Sequence, residues 1–345
     1  MSTMTDSERC RRNVMIAMWL FIVIAMVFAM VVLGGVTRLT HSGLSMVEWR
    51  PVTGWLPPMH ETEWMDVFEK YKLSPEFQKV NKHMDLAGFK AIFWFEFLHR
   101  LWGRLIGVAF FVPFVFFLVR GWLSRDMVLK MLLMFVLGGL QGVMGWYMVK
   151  SGLVDRPDVS QYRLTAHFSL ALIIIGVIEW VALGLLFPSR PQGGTARPLK
   201  VLAMLVFAWA FLTALSGGFV AGLDAGFAYN TFPSMDGAMF PTDLYRLSPV
   251  YLNLFEDILT VQFNHRILAE ALFVLVAILW FRSRGAELPP RGRLAVNCLA
   301  AVVLMQVALG ITTLLLVIPV PLAAAHQAGA VIVFITALWT ARELS

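Results

Sequence analysis

Charge is scarce in this chain. Only 14% of its 345 residues are charged, 59% are hydrophobic, and the mean hydropathy is +0.72. That balance excludes an ordinary soluble domain and a disordered one, both of which carry far more charge. Cysteine is nearly absent. Cys10 and Cys298 are the only two, and neither falls in a predicted outer loop, so no structural disulfide is expected. The N-terminal segment contains Asp6 and Glu8 and resembles neither a transit peptide nor a cleavable signal. This favours a bacterial inner membrane over an organelle.

Long apolar runs are what the chain has in abundance. A spanning helix needs roughly 20 mostly apolar residues, and eight segments supply them, at 14–35, 95–119, 127–148, 164–187, 199–222, 258–281, 294–318 and 322–341. Helices satisfy their own backbone hydrogen bonds in lipid, so the expected fold is an all-α integral membrane protein. The net charge of +6 does not indicate nucleic acid, because the basic residues flank spans. Arg9, Arg11 and Arg12 precede the first. Arg120, Arg125 and Lys130 follow the second, Arg190, Arg197 and Lys200 follow the fourth, and Arg282, Arg284, Arg291 and Arg293 follow the sixth. The 5–6 connection instead carries Asp224, Asp236, Asp243, Glu256 and Asp257 against Arg246. By the positive-inside rule both termini lie inside.

The sequence repeats itself. LGGVTRLTHSGL, closing span one, answers to SGGFVAGLDAGF, closing span five. EFLHR answers to QFNHR, LQGVMG to MQVALG, and TAHFSLA to AAHQAGA, at offsets of 183, 166, 165 and 159 residues. One four-helix unit used twice explains this, giving two pseudo-symmetric four-helix bundles. The halves are 1–190 and 191–345, joined by the Pro/Gly-rich linker 188–198. The first half has a long outer loop, 36–92, too long for a plain connector. The glycine pair and Ser42-Gly43 are expected to end the first span. In the loop, Trp64, Val67, Phe68 and Tyr71 fall at helical spacing, predicting an amphipathic helix in the membrane interface. Ser74-Pro75 predicts a cap for a second helix, and the whole loop reads as a lid.

His41, His60 and His83 lie in that loop and read as solvated. The other four histidines, His99, His167, His265 and His326, each sit near the outer end of an inward-running span. Four residues later come Gly103, Ala171, Ala269 and Ala330, leaving a cleared face one turn below each imidazole. Zinc would want cysteine or carboxylate company. Two imidazoles from facing helices beside a flat cleared face suit a haem, and two repeats mean two haem-sized sites. Arg100 and Arg266 follow their histidines directly and suit haem propionates. The copies differ at one polar position, where Glu96 stands opposite Gln262. A carboxylate can hold a proton and an amide cannot, although pairing with Arg100 would also explain Glu96.

TRLTHSGLSMVEWRPVTGWLPP, EFLHRLWGRLIG, GLDAGFAYNTFP with Met235-Asp236-Gly237, QFNHR and AAHQA together resemble the haem A synthase family across nearly the whole chain. The resemblance implies an oxidoreductase that converts the C8 methyl of haem O to a formyl group, making haem A for cytochrome oxidase. It implies a haem b cofactor on His265 and His326, with Arg266 beside it. It also implies a haem O site on His99 and His167, with Arg100 beside it, and a catalytic Glu96. Expected partners are the lipid membrane, haem O synthase, cytochrome oxidase assembly factors and an electron carrier; self-association is compatible with this, and nucleic acid is not a partner. The expected location is the bacterial cytoplasmic membrane, with haem sites toward the outer side. This chain lacks the loop cysteine pairs of some members, as the cysteine-free proteobacterial and mitochondrial type does. The competing reading is a bis-histidine dihaem b-type cytochrome that transfers electrons without converting a substrate.

Overall fold

The computed structural model describes residues 6–50, 53–153, 159–187 and 197–345. Among these, ten α-helices carry the chain: α1 Asp6–Leu39, α2 Glu61–Lys72, α3 Pro75–Lys79, α4 Leu86–Val119, α5 Arg125–Gly152, α6 Gln161–Leu186, α7 Arg197–Gly222, α8 Ile258–Arg284, α9 Pro290–Leu315 and α10 Val320–Leu344. Seven of them, all the long ones except α8, are apolar and long enough to cross a membrane. Helix α8 has 27 residues but carries Gln262, Asn264, His265, Arg266 and Glu270 in its first half. The fold is that of an all-α, multi-pass membrane protein. Most of the expected linker, Arg190 included, lies outside the described residues.

Two boundaries depart from expectation. Gly34 and Gly35 do not break α1, which continues to Leu39. Thr37 Oγ1 donates to the Leu33 carbonyl at 2.8 Å and Thr40 Oγ1 to the Val36 carbonyl at 2.9 Å, supporting the last turns. The chain turns only at His41, in a left-handed conformation with φ 49°. Helix α4 starts nine residues before the predicted span, because the Asp85 side chain caps it by accepting from Gly88 N at 2.8 Å. His99 is therefore well inside its helix.

Ile22–Ile174 form one compact unit, and Ile175–Ser345, with the start of α1 up to Phe21, form another. The repeat divides the chain near residue 190, whereas compactness divides it within α6. In the second unit α7 packs on α8 and α10, and α9 on the same two, around buried Val206, Leu279, Leu299, Val333 and Ala337. Also in this unit, Glu179 is buried and Arg342 lies 4.9 Å over the Trp180 ring.

In the first unit, the Trp102 indole of α4 donates to the Met26 carbonyl of α1 at 2.9 Å. The repeat partners of these positions are Leu268 and Trp209, and there the bond runs the other way, from Trp209 to the Leu268 carbonyl at 2.9 Å. Each copy thus ties its first two spans at one level, with the indole on opposite helices.

The amphipathic face of α2 does not lie open for the interface. Trp64, Phe68 and Tyr71 are buried against Phe89, Phe93 and Phe97 of α4, with Trp64 and Phe93 edge-to-face at 4.9 Å. Apolar burial on a neighbouring helix replaces burial in lipid. Helix α3 begins as expected, with Ser74 Oγ accepting from Phe77 N at 3.2 Å. Tyr71 then locks the two short helices, donating to Glu76 Oε2 at 2.9 Å and accepting from Asn81 Nδ2 at 2.8 Å. Its burial pushes the phenol well above its ordinary pKa. Tyr71→Phe should cost about 1–3 kcal/mol, the usual result of removing a partner from buried polar groups. Thermal unfolding in detergent and proteolysis within residues 60–85 read this loss; unchanged values would contradict the assignment.

Candidate functional site

Each of the four span histidines meets a glycine on the preceding long helix. A Cβ built on Gly34 of α1 would stand 2.9 Å from His99 Cε1, and one on Gly145 of α5 would stand 3.3 Å from His167 Cε1. On Gly217 of α7 it would stand 3.2 Å from His265 Cε1, and on Gly310 of α9 2.7 Å from His326 Cε1. The rings lie against bare backbone: a Cβ at Gly34 or Gly310 would force a shift, and one at Gly145 or Gly217 would be tight. The glycines that matter are thus across the interface, not one turn below each histidine. Gly103, predicted to leave a bare patch, would instead place a Cβ 3.2 Å from Met30 Cε.

The imidazoles are paired within each unit. His99 and His167 belong to the first unit, and His265 and His326 to the second. Gln141 Nε2 donates to the His167 carbonyl at 3.0 Å and approaches the ring at 3.4 Å. Gln306 Nε2 does the same at His326, with 2.8 Å to the carbonyl and 3.1 Å to Nδ1. His265 has an added partner, Ser216 Oγ at 2.8 Å from Nδ1. The repeat counterpart of Ser216 is Leu33, and His99 Nδ1 is buried without a partner, as is His167 Nδ1. The serine orients one ring nitrogen and leaves the other for a ligand, the way outer partners fix metal-binding imidazoles.

Arg100 and Arg266 hold equivalent loops with equivalent bonds. Arg100 Nη1 donates to the Glu48 carbonyl and Nη2 to the Met46 carbonyl, both at 2.8 Å. Arg266 Nη1 donates to the Thr231 carbonyl and Nη2 to the Tyr229 carbonyl, again at 2.8 Å. Thr231 and Tyr229 are the repeat partners of Glu48 and Met46. Much of each guanidinium's donor capacity is therefore spent on the chain itself, although Arg266 Nε is buried without a partner.

The two copies differ in what the neighbouring position offers its loop. Glu96 is 2% exposed. Its Oε2 accepts from Ser45 Oγ at 2.8 Å and Met46 N at 2.7 Å, and its Oε1 from Arg100 Nη2 at 2.5 Å. Gln262 reverses the direction, donating from Nε2 to the Ala225 and Tyr229 carbonyls at 3.0 and 3.1 Å. One loop presents donors to a carboxylate; the other presents acceptors to an amide. Outside the spans, Glu48 pairs with Lys70 at 2.9 Å and with Arg50, and the bond from Lys70 chiefly lowers its carboxyl pKa.

His41, His60 and His83 do not join these clusters. His60 begins α2, its N donating to Glu63 Oε2 at 3.4 Å. Cys10 and Cys298 are both free thiols. Gly34, Gly145, Gly217, Gly310, Ser45 and Ser216 were not singled out from sequence. The visible hints are the repeated Gln–Gly spacing in LQGVMG and MQVALG and the glycine pair shared by LGGVTRLTHSGL and SGGFVAGLDAGF, which reads from sequence only as a helix break.

The chain matches the family model described as cytochrome oxidase assembly protein over residues 17–338. It is 54% identical over 331 residues to the Heme A synthase of Nitrosospira multiformis, covering 95% of this chain and 93% of the relative. The chain belongs to the haem A synthase family. It is also 50% identical to the Heme A synthase of Nitrosomonas eutropha, over 98% of this chain and 96% of that one. With Heme A synthase COX15 of Homo sapiens it shares 44% identity, over 94% and 82% of the two chains. The seat of each imidazole gives a prediction that does not depend on function. Gly310→Ala should destabilise the protein by about 1–3 kcal/mol, as overpacking does, and Gly217→Ala by less. Gly107→Ala, whose Cβ meets nothing within 4 Å, should be neutral. Thermal unfolding checks the order, and equal effects at all three sites would contradict it.

Proposed function

We propose that this chain oxidises the C8 methyl of haem O to a formyl group, yielding haem A for cytochrome oxidase. The observation that carries the proposal is a shared imidazole arrangement in which one copy alone has a carboxylate one turn before its first histidine, buried Glu96 where the other has Gln262. Membership of the family, and the names its relatives bear, support the same reaction.

His99 and His167 are assigned to the iron of the substrate haem O, and His265 and His326 to a resident haem b. Their fit rests on paired buried imidazoles backed by glycine. In the first unit two ring nitrogens lack protein partners; in the second, Ser216 orients one ring. Arg266 serves the resident site through its free Nε, which can meet a carboxylate. Haem b, when bound, supplies reversible one-electron transfer.

Oxidising a methyl group removes electrons and protons together, and positive charge develops at the carbon. Glu96 lies one helical turn before His99 and is the carboxylate assigned to stabilise that charge or take the proton. Three donors surround it, from Ser45 Oγ, Met46 N and Arg100 Nη2, a fixed polar setting that suits electrostatic stabilisation. Arg100 positions Glu96 and fixes the loop at Met46 and Glu48. Each round would take two electrons, passed to a separate carrier, and two protons while water adds its oxygen to the carbon. Two rounds would give a geminal diol, which loses water to the aldehyde.

The charge pattern supports a bacterial cytoplasmic membrane, both termini inside, with the haem sites toward the outer side. Haem O would come from haem O synthase, the product would pass to oxidase assembly factors, and a separate carrier would exchange the electrons.

Glu96→Gln should reduce haem A about 100-fold or more, the scale of a lost electrostatic group, in cells supplying haem O, while haem b content stays normal. Chromatography of extracted haems gives the answer, and undiminished haem A would refute the role of Glu96. His326→Ala should abolish the bis-imidazole spectrum of the resident haem. A full, unshifted spectrum would remove His326 from that site.

A further inference from the structure

A cavity of about 300 Å³ opens beside the first unit's imidazole pair, lined by Met46, Trp49, Arg100, Trp146, Val149 and Lys150 among others. Ligand pockets run to about 300–1,000 Å³, so this one suits the edge of a porphyrin and not a whole one. Its position follows from the helices. Gly145 backs His167, and Lys150 lies five residues further along α5, about 7.5 Å at 1.5 Å per residue. Arg100 borders the cavity directly after His99. The cavity therefore borders the chain neighbours of both imidazole seats, Arg100 after His99 and Trp146 after the glycine that backs His167.

Its two cations are not equivalent. Arg100 already donates to Glu96 and to two loop carbonyls. Lys150 rests 5.0 Å from the Trp146 ring centre, and among the described residues no carboxylate pairs with it. The repeat partner of Lys150 is Leu315, and that of Trp146 is Ile311. The second unit thus lacks an ammonium at this place.

We propose that this cavity is the carboxylate end of the substrate site, with Lys150 as the residue that ion-pairs with a propionate of haem O. Trp146 and Trp49 form the apolar walls beside that end, while Arg100 keeps the loop wall in place. The proposal rests on His99 and His167 holding the substrate. It gives a transient ligand a flexible ammonium grip, whereas the resident site has none. A lysine near a membrane surface can also serve lipid phosphate, and the experiment separates these sources.

The full chain, loaded with its resident haem, is titrated in detergent with haem O and with haem O dimethyl ester, and followed by difference absorbance. The wild type should bind the acid about tenfold more tightly than the ester, the scale of one charge-assisted hydrogen bond. Lys150→Gln should erase that preference without changing ester affinity, and Lys150→Arg should keep most of it. Equal binding of acid and ester by the wild type, or a preference that survives Lys150→Gln, overturns the proposal. So does an equal loss of both ligands, the result expected of a lysine that serves lipid or packing. The resident haem spectrum reports whether each variant is folded. Haem O binding that survives the double change His99→Ala, His167→Ala would instead overturn the underlying site assignment, whatever Lys150 does.

Discussion

An imidazole buried among apolar helices needs both a surface flat enough to lie on and polar partners, since unsatisfied polar groups are costly there. Among the described residues this chain supplies the flat surface four times and a polar partner at three of the four rings. Glycine clears the backbone at Gly34, Gly145, Gly217 and Gly310, and Gln141, Gln306 and Ser216 approach three of the rings. Two buried ring nitrogens in the first unit are left without a protein partner. Groups of this kind inside a membrane protein are functional candidates by default. The remaining features of each unit, its looped outer end and its arginine, arrange themselves around these pairs.

The arginines show how one fold supports two roles. Arg100 and Arg266 make the same bonds to equivalent loop carbonyls, so the loop is held alike in both copies. Glu96 and Gln262 then decide which backbone and side-chain groups turn toward the helix. A carboxylate collects Ser45 Oγ and Met46 N, while an amide collects carbonyls. Exchanging the two would set donor against donor or acceptor against acceptor, so the difference is built into the loops as well as the side chains. In the proposed function that one polarity is what separates the substrate half from the half that holds a redox group.

The helices, the repeat and the four histidines were legible in the sequence because each rests on pattern: apolar length, fixed offsets, and residue types rare in spans. What the sequence did not reveal depends on partners distant along the chain. Gly34 and Gly35 read as a break, yet backbone bonds with no aqueous competitor, supported by Thr37 and Thr40, carry α1 through them. The apolar stripe of α2 predicted membrane contact because Phe89 and Phe93 lay beyond the predicted span start. Arg100 and Arg266 suggested ligand carboxylates, and the sequence shows that charge but not the loop carbonyls that also take its donors. Glu96 stands out in the sequence as a carboxylate inside a span and as the position where the copies differ, but its Ser45 and Met46 partners lie some fifty residues away.

The central claim is that two similar imidazole pairs have unequal tenants, a resident haem b and an exchangeable haem O. Haem stoichiometry measures this directly, on protein purified from cells that make haem b but no haem O. The account predicts one haem b per chain, lost on changing His265 and retained on changing His99, with a second equivalent bound only when haem O is added. Two haem b per chain, with both pairs filled alike, would contradict it and identify an electron-transfer cytochrome instead.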